Sequence, residues 1–401
     1  MSIEEAVAAL GRGPLEEDAL KRHVWPLFSR VLRRSERDVY LANHSLGRPL
    51  DRTAQDLGDA IAAWYAELGG AWGQWLADRE RFRALVARLF GAARPDCIVP
   101  KSSAGQGLRA VLNAYDKPLR VVTTEGEFDS LDIILRTYRD RGRVSLDAVP
   151  ARADGRFHID DIAARVVRGV DLVVLSHVMF RTAQLIEAIE ALARHAHDAR
   201  ARLLLDVYHS AGVVPLDLHA LKVDFAVGGS YKYLRGGPGA CWLYVHPDVL
   251  KGGLGTLDIG WFAKRDAFAH LRPEPPQLGS GGDAWLESTP PVFSYAQARA
   301  GLEFAFAIGV PRLRAYSLAQ QGRLIEQLAA RGIEAQGARR DHGAFVVVSH
   351  PQAANVAREL GRRGITVDAR GDALRLGPDI LNSDAELQRA AEALRAALPS
   401  A

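Results

Sequence analysis

Lysine is scarce in this chain of 401 residues. Of its 51 lysines and arginines only seven are lysines: Lys21, Lys101, Lys117, Lys222, Lys232, Lys251 and Lys264. Any amine chemistry done through a lysine therefore has few candidates. Cysteine is scarcer still. Cys97 and Cys241 stand alone and far apart, which excludes a disulfide framework and fits a reducing cytosol. Charge of one sign is lacking too. The formal net charge is +3 and acids are interspersed among the arginines, whereas nucleic-acid binders concentrate positive charge on one stripe. No apolar stretch approaches the roughly 20 residues needed to span a bilayer. The start, MSIEEAVAALGRGPLEED, lacks the charged residues and apolar run of a signal peptide. The expectation is a soluble cytoplasmic enzyme with neither nucleic-acid nor membrane partners.

What remains is an ordinary globular composition, 48% hydrophobic and 25% charged, long enough for two or three domains and a large core. Short apolar runs alternate with amphipathic stretches from about residue 97. Strands are predicted at Cys97–Val99, Arg120–Thr124, Val144–Val149, Asp171–Ser176, Arg202–Asp206, Phe225–Gly228 and Cys241–Val245. Helices are predicted between most of them, at Gly105–Tyr115, Ser130–Arg139, Ile159–Arg168 and Thr182–Ala199. Such alternation argues for an α/β fold with a mostly parallel, doubly wound sheet covered on both faces. Only a Gly-rich loop separates the last two strands, so they are predicted to run antiparallel. After Pro290-Pro291 come long helices at Ser294–Ile308 and Pro311–Arg331, then a small α+β domain. The predicted division is an N-terminal arm (1–45), a large domain (46–293), and a connecting helix with the small C-terminal domain (294–401).

The richest stretch for chemistry is Leu203–Gly239. Asp206 ends an apolar strand, where a carboxylate faces the crevice at the strands' C-terminal ends. Lys232 follows on an aromatic- and Gly-rich loop beside Tyr231 and Tyr233, where burial would depress its pKa and make it nucleophilic. Among the other lysines only Lys101 is a serious rival. An acid on one strand end and a lysine on a later one suit pyridoxal 5'-phosphate (PLP): the lysine bonds the aldehyde and the acid pairs with the ring nitrogen. The phosphate then needs donors, and Ser102-Ser103-Ala104-Gly105-Gln106-Gly107 opens the first helix, whose N-terminus favours an anion. Blander features surround these. His195 and His197 sit two apart and point to different sides of a helix. Trp64, Trp72 and Trp75 read as packing, Cys241 as a small buried hydrophobe, and Glu125-Gly126-Glu127 as either paired acids or a strand-end turn. No metal site is expected.

Several of these segments resemble the kynureninase family, fold-type I PLP enzymes of the class V aminotransferase superfamily. They are Asp206-x-x-His209-Ser210, Ser230-Tyr231-Lys232-Tyr233-Leu234 with Gly237-Pro238-Gly239, and Tyr40–Gly47 near the N-terminus. Further matches are Gly260-Trp261-Phe262, Ser288-Thr289-Pro290-Pro291, and Leu374-Arg375-Leu376-Gly377-Pro378 followed by Leu381-Asn382-Ser383. The resemblance implies hydrolysis of the Cβ–Cγ bond of L-kynurenine, or its 3-hydroxy form, to anthranilate or 3-hydroxyanthranilate and L-alanine. It implies that Lys232 carries the cofactor and moves protons, and that Asp206 pairs with the ring nitrogen while His209 lies near the ring. Phe128 would stack on the ring, with Ser102, Ser103, Ser130 and Ser176 as further cofactor contacts. Tyr231 would touch the phosphate and act as general acid. Trp261 and Thr289 would reach the phosphate from a neighbouring subunit, which implies a homodimer with interfacial sites. Arg375 would hold the α-carboxylate, with His44 in the substrate site. Arg235, Arg181 and the run Asp129-Ser130-Leu131-Asp132 depart from the family pattern. A carbon–sulfur β-lyase, desulfurase or aminotransferase on the same scaffold, and a non-catalytic PLP-fold sensor, are the alternatives.

Overall fold

The computed structural model describes residues 1–33 and 38–398. A short strand, β1 (Val39–Tyr40), belongs to the far end of the chain and is taken up below. The central sheet holds β2 (Ile98–Lys101), β3 (Leu119–Thr124), β4 (Val144–Val149), β5 (Leu172–Ser176), β6 (Arg202–Asp206), β7 (Phe225–Gly229) and β8 (Cys241–Val245) in the order β2-β8-β7-β6-β5-β3-β4. β4, β3, β5, β6 and β7 run parallel, whereas β8 is antiparallel to both β7 and β2. The Gly-rich loop thus makes the antiparallel turn expected of it.

The strands are apolar throughout because both faces are covered. Leu203 and Leu205 point into a layer with Phe82, Val86 and Trp242. Leu204, one residue out of phase, packs on the other side with Leu108, Leu135 and Phe225. Gly228 lies directly opposite Trp242 on the β7–β8 ladder. A Cβ on Gly228 would come within 2.3 Å of the Trp242 ring, which is fully buried and stacked on Phe90 at 5.2 Å. Gly228→Ala should therefore overpack the core and cost about 1–3 kcal/mol. The urea midpoint should fall with an unchanged slope; a midpoint equal to the parent's would mean that the indole moves aside freely.

The small domain's sheet is β9 (Val346–Ser349), β11 (Asp368–Arg370) and β12 (Ala373–Leu376), in the order β11-β12-β9 and antiparallel. Just before β11, the short strand β10 (Ile365–Thr366) stays outside that sheet and pairs in parallel with β1. The N-terminal segment is thereby fastened to the small domain. The helix predicted at Thr182–Ala199 forms only over Ile189–Asp198. Ala183 and Ala188 take positive φ values of 58° and 60°, and Gln184 bridges the backbone of Phe157 at 2.9 and 2.6 Å, so the chain before Ile189 cannot stay helical. No helix among the described residues is long and apolar enough to cross a membrane.

Candidate active site

Parallel strands deliver their last residues to one edge of the sheet, and the chemistry gathers there. Asp206 closes β6 with Ser176 of β5 beside it in register. Its carboxylate is buried and accepts the backbone N–H of Tyr208 at 2.8 Å. Burial pushes its pKa up. Lys232 sits on the loop after β7, 5% exposed. Its Nζ lies 2.7 Å from Nε2 of His209 and within 5.6–5.7 Å of the ring centroids of Phe128, Tyr208 and Tyr231. Burial lowers the ammonium's pKa well below that of a free lysine, against the pull of Asp206.

The lysine loop is clasped from behind by the N-terminal segment. Gly47 donates its N–H to the Tyr231 carbonyl at 2.8 Å, and a Cβ on Gly47 would fall 1.9 Å from the Lys232 carbonyl oxygen. Only glycine permits that approach. Lys101, the rival lysine, is buried but engaged: its Nζ donates to Glu287 at 2.5 Å and to the Trp285 carbonyl at 3.2 Å. Among the described residues no aromatic ring lies over its amine as three do over that of Lys232.

The remaining residues singled out in the sequence fall in three groups. Phe128, the N-cap of the helix Asp129–Asp140, has its ring beside Lys232, Ser176 ends β5 beside Asp206, and Ser130 is the second residue of that helix. Ser102 and Ser103 open the helix Ala104–Leu112, where Ser103 Oγ accepts the Gln106 N–H and Ser102 donates to the Gln106 carboxamide. Trp261 and Thr289 lie together, with the indole N–H 3.3 Å from the Thr289 hydroxyl. His44 is fully buried, with Nε2 3.0 Å from Asp368 and its ring against Phe345. Arg375 is 2% exposed.

The departures from the family pattern also resolve. Arg235 is buried against Asp379 at 2.6 Å. Arg181 forms an exposed pair with Asp372, and Asp132 an exposed pair with Arg136. His195 and His197 have separate partners, two backbone carbonyls and Asp224.

Four further residues belong to the site; the sequence marks only Glu127, as one of the acids left open between a pair and a turn, and gives no signal for the other three. Glu127 is buried between the hydroxyls of Thr124 and Ser176, each donating at 2.6 Å, and burial pushes it up to about 7. Tyr208 packs on Tyr231 with centroids 5.7 Å apart. Phe345 forms a wall shared by His44, His209 and Arg375. Asp368 pairs with Arg375.

A flat, anionic, aldehyde-bearing cofactor fits this arrangement. Asp206 and Lys232 are both buried yet form no ion pair with each other, so each is left to meet a ligand group. His209 Nδ1 is likewise buried without a partner. An aromatic nitrogen suits the carboxylate, an aldehyde suits the amine, and the rings of Phe128 and His209 supply faces for stacking.

The sequence profile "Aminotransferase class-V" matches residues 71–378. The chain is similar to the kynureninase of Xanthomonas campestris, 33% identical over 269 residues, 64% of this chain and 62% of that relative. That match spans less than two thirds of the relative's length. The kynureninases of Geobacillus thermodenitrificans and Salinispora tropica are each 29% identical, over 87% and 90% of this chain and 85% and 91% of theirs. Among solved structures, the apo cysteine desulfurase of Thermococcus onnurineus superposes with a TM-score of 0.78 at 19% identity, covering 90% of this chain and 94% of that one. A C-DES variant with glycine covalently linked to its PLP cofactor gives 0.81 at 17% identity, covering 92% and 98%. These two establish the fold-type I architecture.

Proposed function

Since the chain belongs to the class V aminotransferase family and takes PLP as its cofactor, we propose that it is a kynureninase-type hydrolase. It would cleave the Cβ–Cγ bond of L-kynurenine or 3-hydroxy-L-kynurenine to L-alanine and anthranilate or 3-hydroxyanthranilate. The observation that carries the reading is the pairing of a buried, pKa-depressed lysine with a protonated tyrosine beside it. Burial pushes the Tyr231 hydroxyl up to about 12, so at neutral pH it holds a proton to give.

PLP, when bound, supplies an electron sink for charge developing next to the amino-acid nitrogen. The chain's own residues do the rest. Asp206 holds a proton on the ring nitrogen. Lys232, partly neutral at working pH, takes the Cα proton and returns it. Water adds to the side-chain carbonyl carbon, and as the bond from that carbon to Cβ opens, releasing the acyl group as the aryl carboxylic acid, Tyr231 gives its proton to Cβ; Arg375 holds the α-carboxylate by hydrogen bonds suited to a planar fork. Ser102, Ser103 and the helix they open receive the phosphate.

Trp261 and Thr289 contribute from a second copy, in a homodimer working in the cytoplasm. Exposed apolar residues support that assembly: Trp64, Tyr65 and Leu68 on one helix and its end, and Leu257, Phe268 and Leu271 near Trp261.

A desulfurase would need a mobile nucleophilic cysteine. The chain's two cysteines are both buried, and burial pushes the Cys241 thiol up to about 11. The test is release of fluorescent anthranilate from L-kynurenine by the PLP-loaded enzyme. Turnover of neither kynurenine nor its 3-hydroxy form would overturn the hydrolase and favour a carbon–sulfur lyase.

A further inference from the structure

Arg375 does not face the crevice with its whole guanidinium. Its Nε donates to Asp368 Oδ1 at 2.7 Å and its Nη2 to Asp368 Oδ2 at 2.5 Å. Its Nη1 donates to the carbonyl of Phe180, from the large domain. A guanidinium has five N–H groups, so three are engaged and two remain, one on each terminal nitrogen. That is the donor set for a single carboxylate fork.

The partner is held as firmly as the arginine. Asp368 and Arg375 are cross-strand neighbours on the β11–β12 ladder, so the backbone itself sets the pair. His44 Nε2 meets Asp368 at 3.0 Å. Burial pushes His44 down to about 4, so at neutral pH the ring is uncharged. Asp368 accepts only, so the His44 proton sits on Nε2 and points at the carboxylate. Burial opposes ionisation of Asp368, yet His44 and Arg375 hold its pKa far below the usual carboxylate range. Arg370 lies 3.8 Å from the same carboxylate. The two arginines and one aspartate leave one net positive charge, enough for one carboxylate.

We propose that Asp368 is the positioning residue for substrate recognition: it occupies the side edge of Arg375 and turns the remaining terminal N–H pair toward the α-carboxylate. This rests on the reading that Arg375 is the α-carboxylate clamp.

The experiment uses the PLP-loaded enzyme and its Asp368→Asn variant, which keeps the size and removes the charge. KM for the amino-acid substrate should rise about tenfold or more through misorientation of the clamp, while kcat stays within about threefold. The dissociation constant of L-alanine, read from the cofactor's visible spectrum, should rise in parallel, and that of L-alaninamide, which has no carboxylate, should not. An unchanged KM overturns the proposal. A lower KM also overturns it, because Asp368 would then be a placeholder that substrate displaces. A variant that weakens alanine and alaninamide equally shows general damage and overturns it as well. Arg375→Ala separates the two levels: if it leaves KM unchanged, the clamp reading itself falls, whereas a raised KM there with none in Asp368→Asn sinks only the positioning role.

Discussion

Lys232→Ala should abolish covalent retention of the cofactor and lower turnover about a thousandfold or more, the scale on which a positioned proton-transfer group acts. After borohydride reduction and digestion, mass spectrometry should find the cofactor on the Lys232 peptide of the parent and on no peptide of the variant. The reason is the amine's surroundings. Lys232 is 5% exposed, faces three aromatic rings, and touches His209. Burial together with the positive charges of Lys232 and Arg375 keeps His209 well below its ordinary pKa, so it gives the lysine no counter-charge. The amine is therefore held partly neutral and nucleophilic, whereas Lys101, though burial lowers it too, is tied to the Glu287 carboxylate, which opposes that shift. The same burial makes a second sign of the assignment. A buried ammonium opposes folding, so Lys232→Ala should unfold no earlier than the parent in the absence of cofactor. A variant that keeps the covalent cofactor would transfer the role to another lysine.

That assignment is legible in the amino-acid sequence because each of its parts is local. Asp206 and Lys232 each follow an apolar run short enough to be one buried strand, and lysine is scarce enough for one exception to stand out. The seven strands of the large domain and the antiparallel turn into β8 follow from the same period. Contacts between distant segments are not legible in this way. Glu127 cannot be told from a turn residue, because its meaning comes from hydroxyls on Thr124 and on Ser176, a strand away. Asp368 gains its meaning only from β12, which places Arg375 across from it. Arg235 stands out in the sequence only as a departure from the family pattern. It is one member of a buried cluster whose other members lie in the N-terminal segment and in the small domain.

That cluster sets the second large expectation: Asp379→Ala should destabilise the folded chain by about 3–5 kcal/mol, the range for removing one partner from a buried ion pair. Asp379 lies between Arg48 at 2.5 Å and Arg235 at 2.6 Å, all three being at least nine-tenths buried. Asn382 also accepts from Arg48, at 2.8 Å. The rings of Tyr40 and Phe28 lie against the two guanidinium groups at 5.7 and 5.5 Å, which softens one surplus positive charge. Without the carboxylate two guanidinium groups would face each other out of water. The pH dependence gives the check. Burial alone would raise the Asp379 pKa, but Arg235 and Arg48 hold it down to about 2, below the roughly 3.9 of an unfolded aspartate. Its contribution is thus complete above about pH 4 and is lost as the pH falls toward 2. Urea midpoints should therefore separate parent from variant most widely at neutral pH and converge in acid. Because Arg235 stands three residues after Lys232 and Arg48 one after Gly47, the loss should also loosen the loop that carries the lysine. A parent-like midpoint with weakened cofactor retention would mean that the cluster serves the site and not the fold.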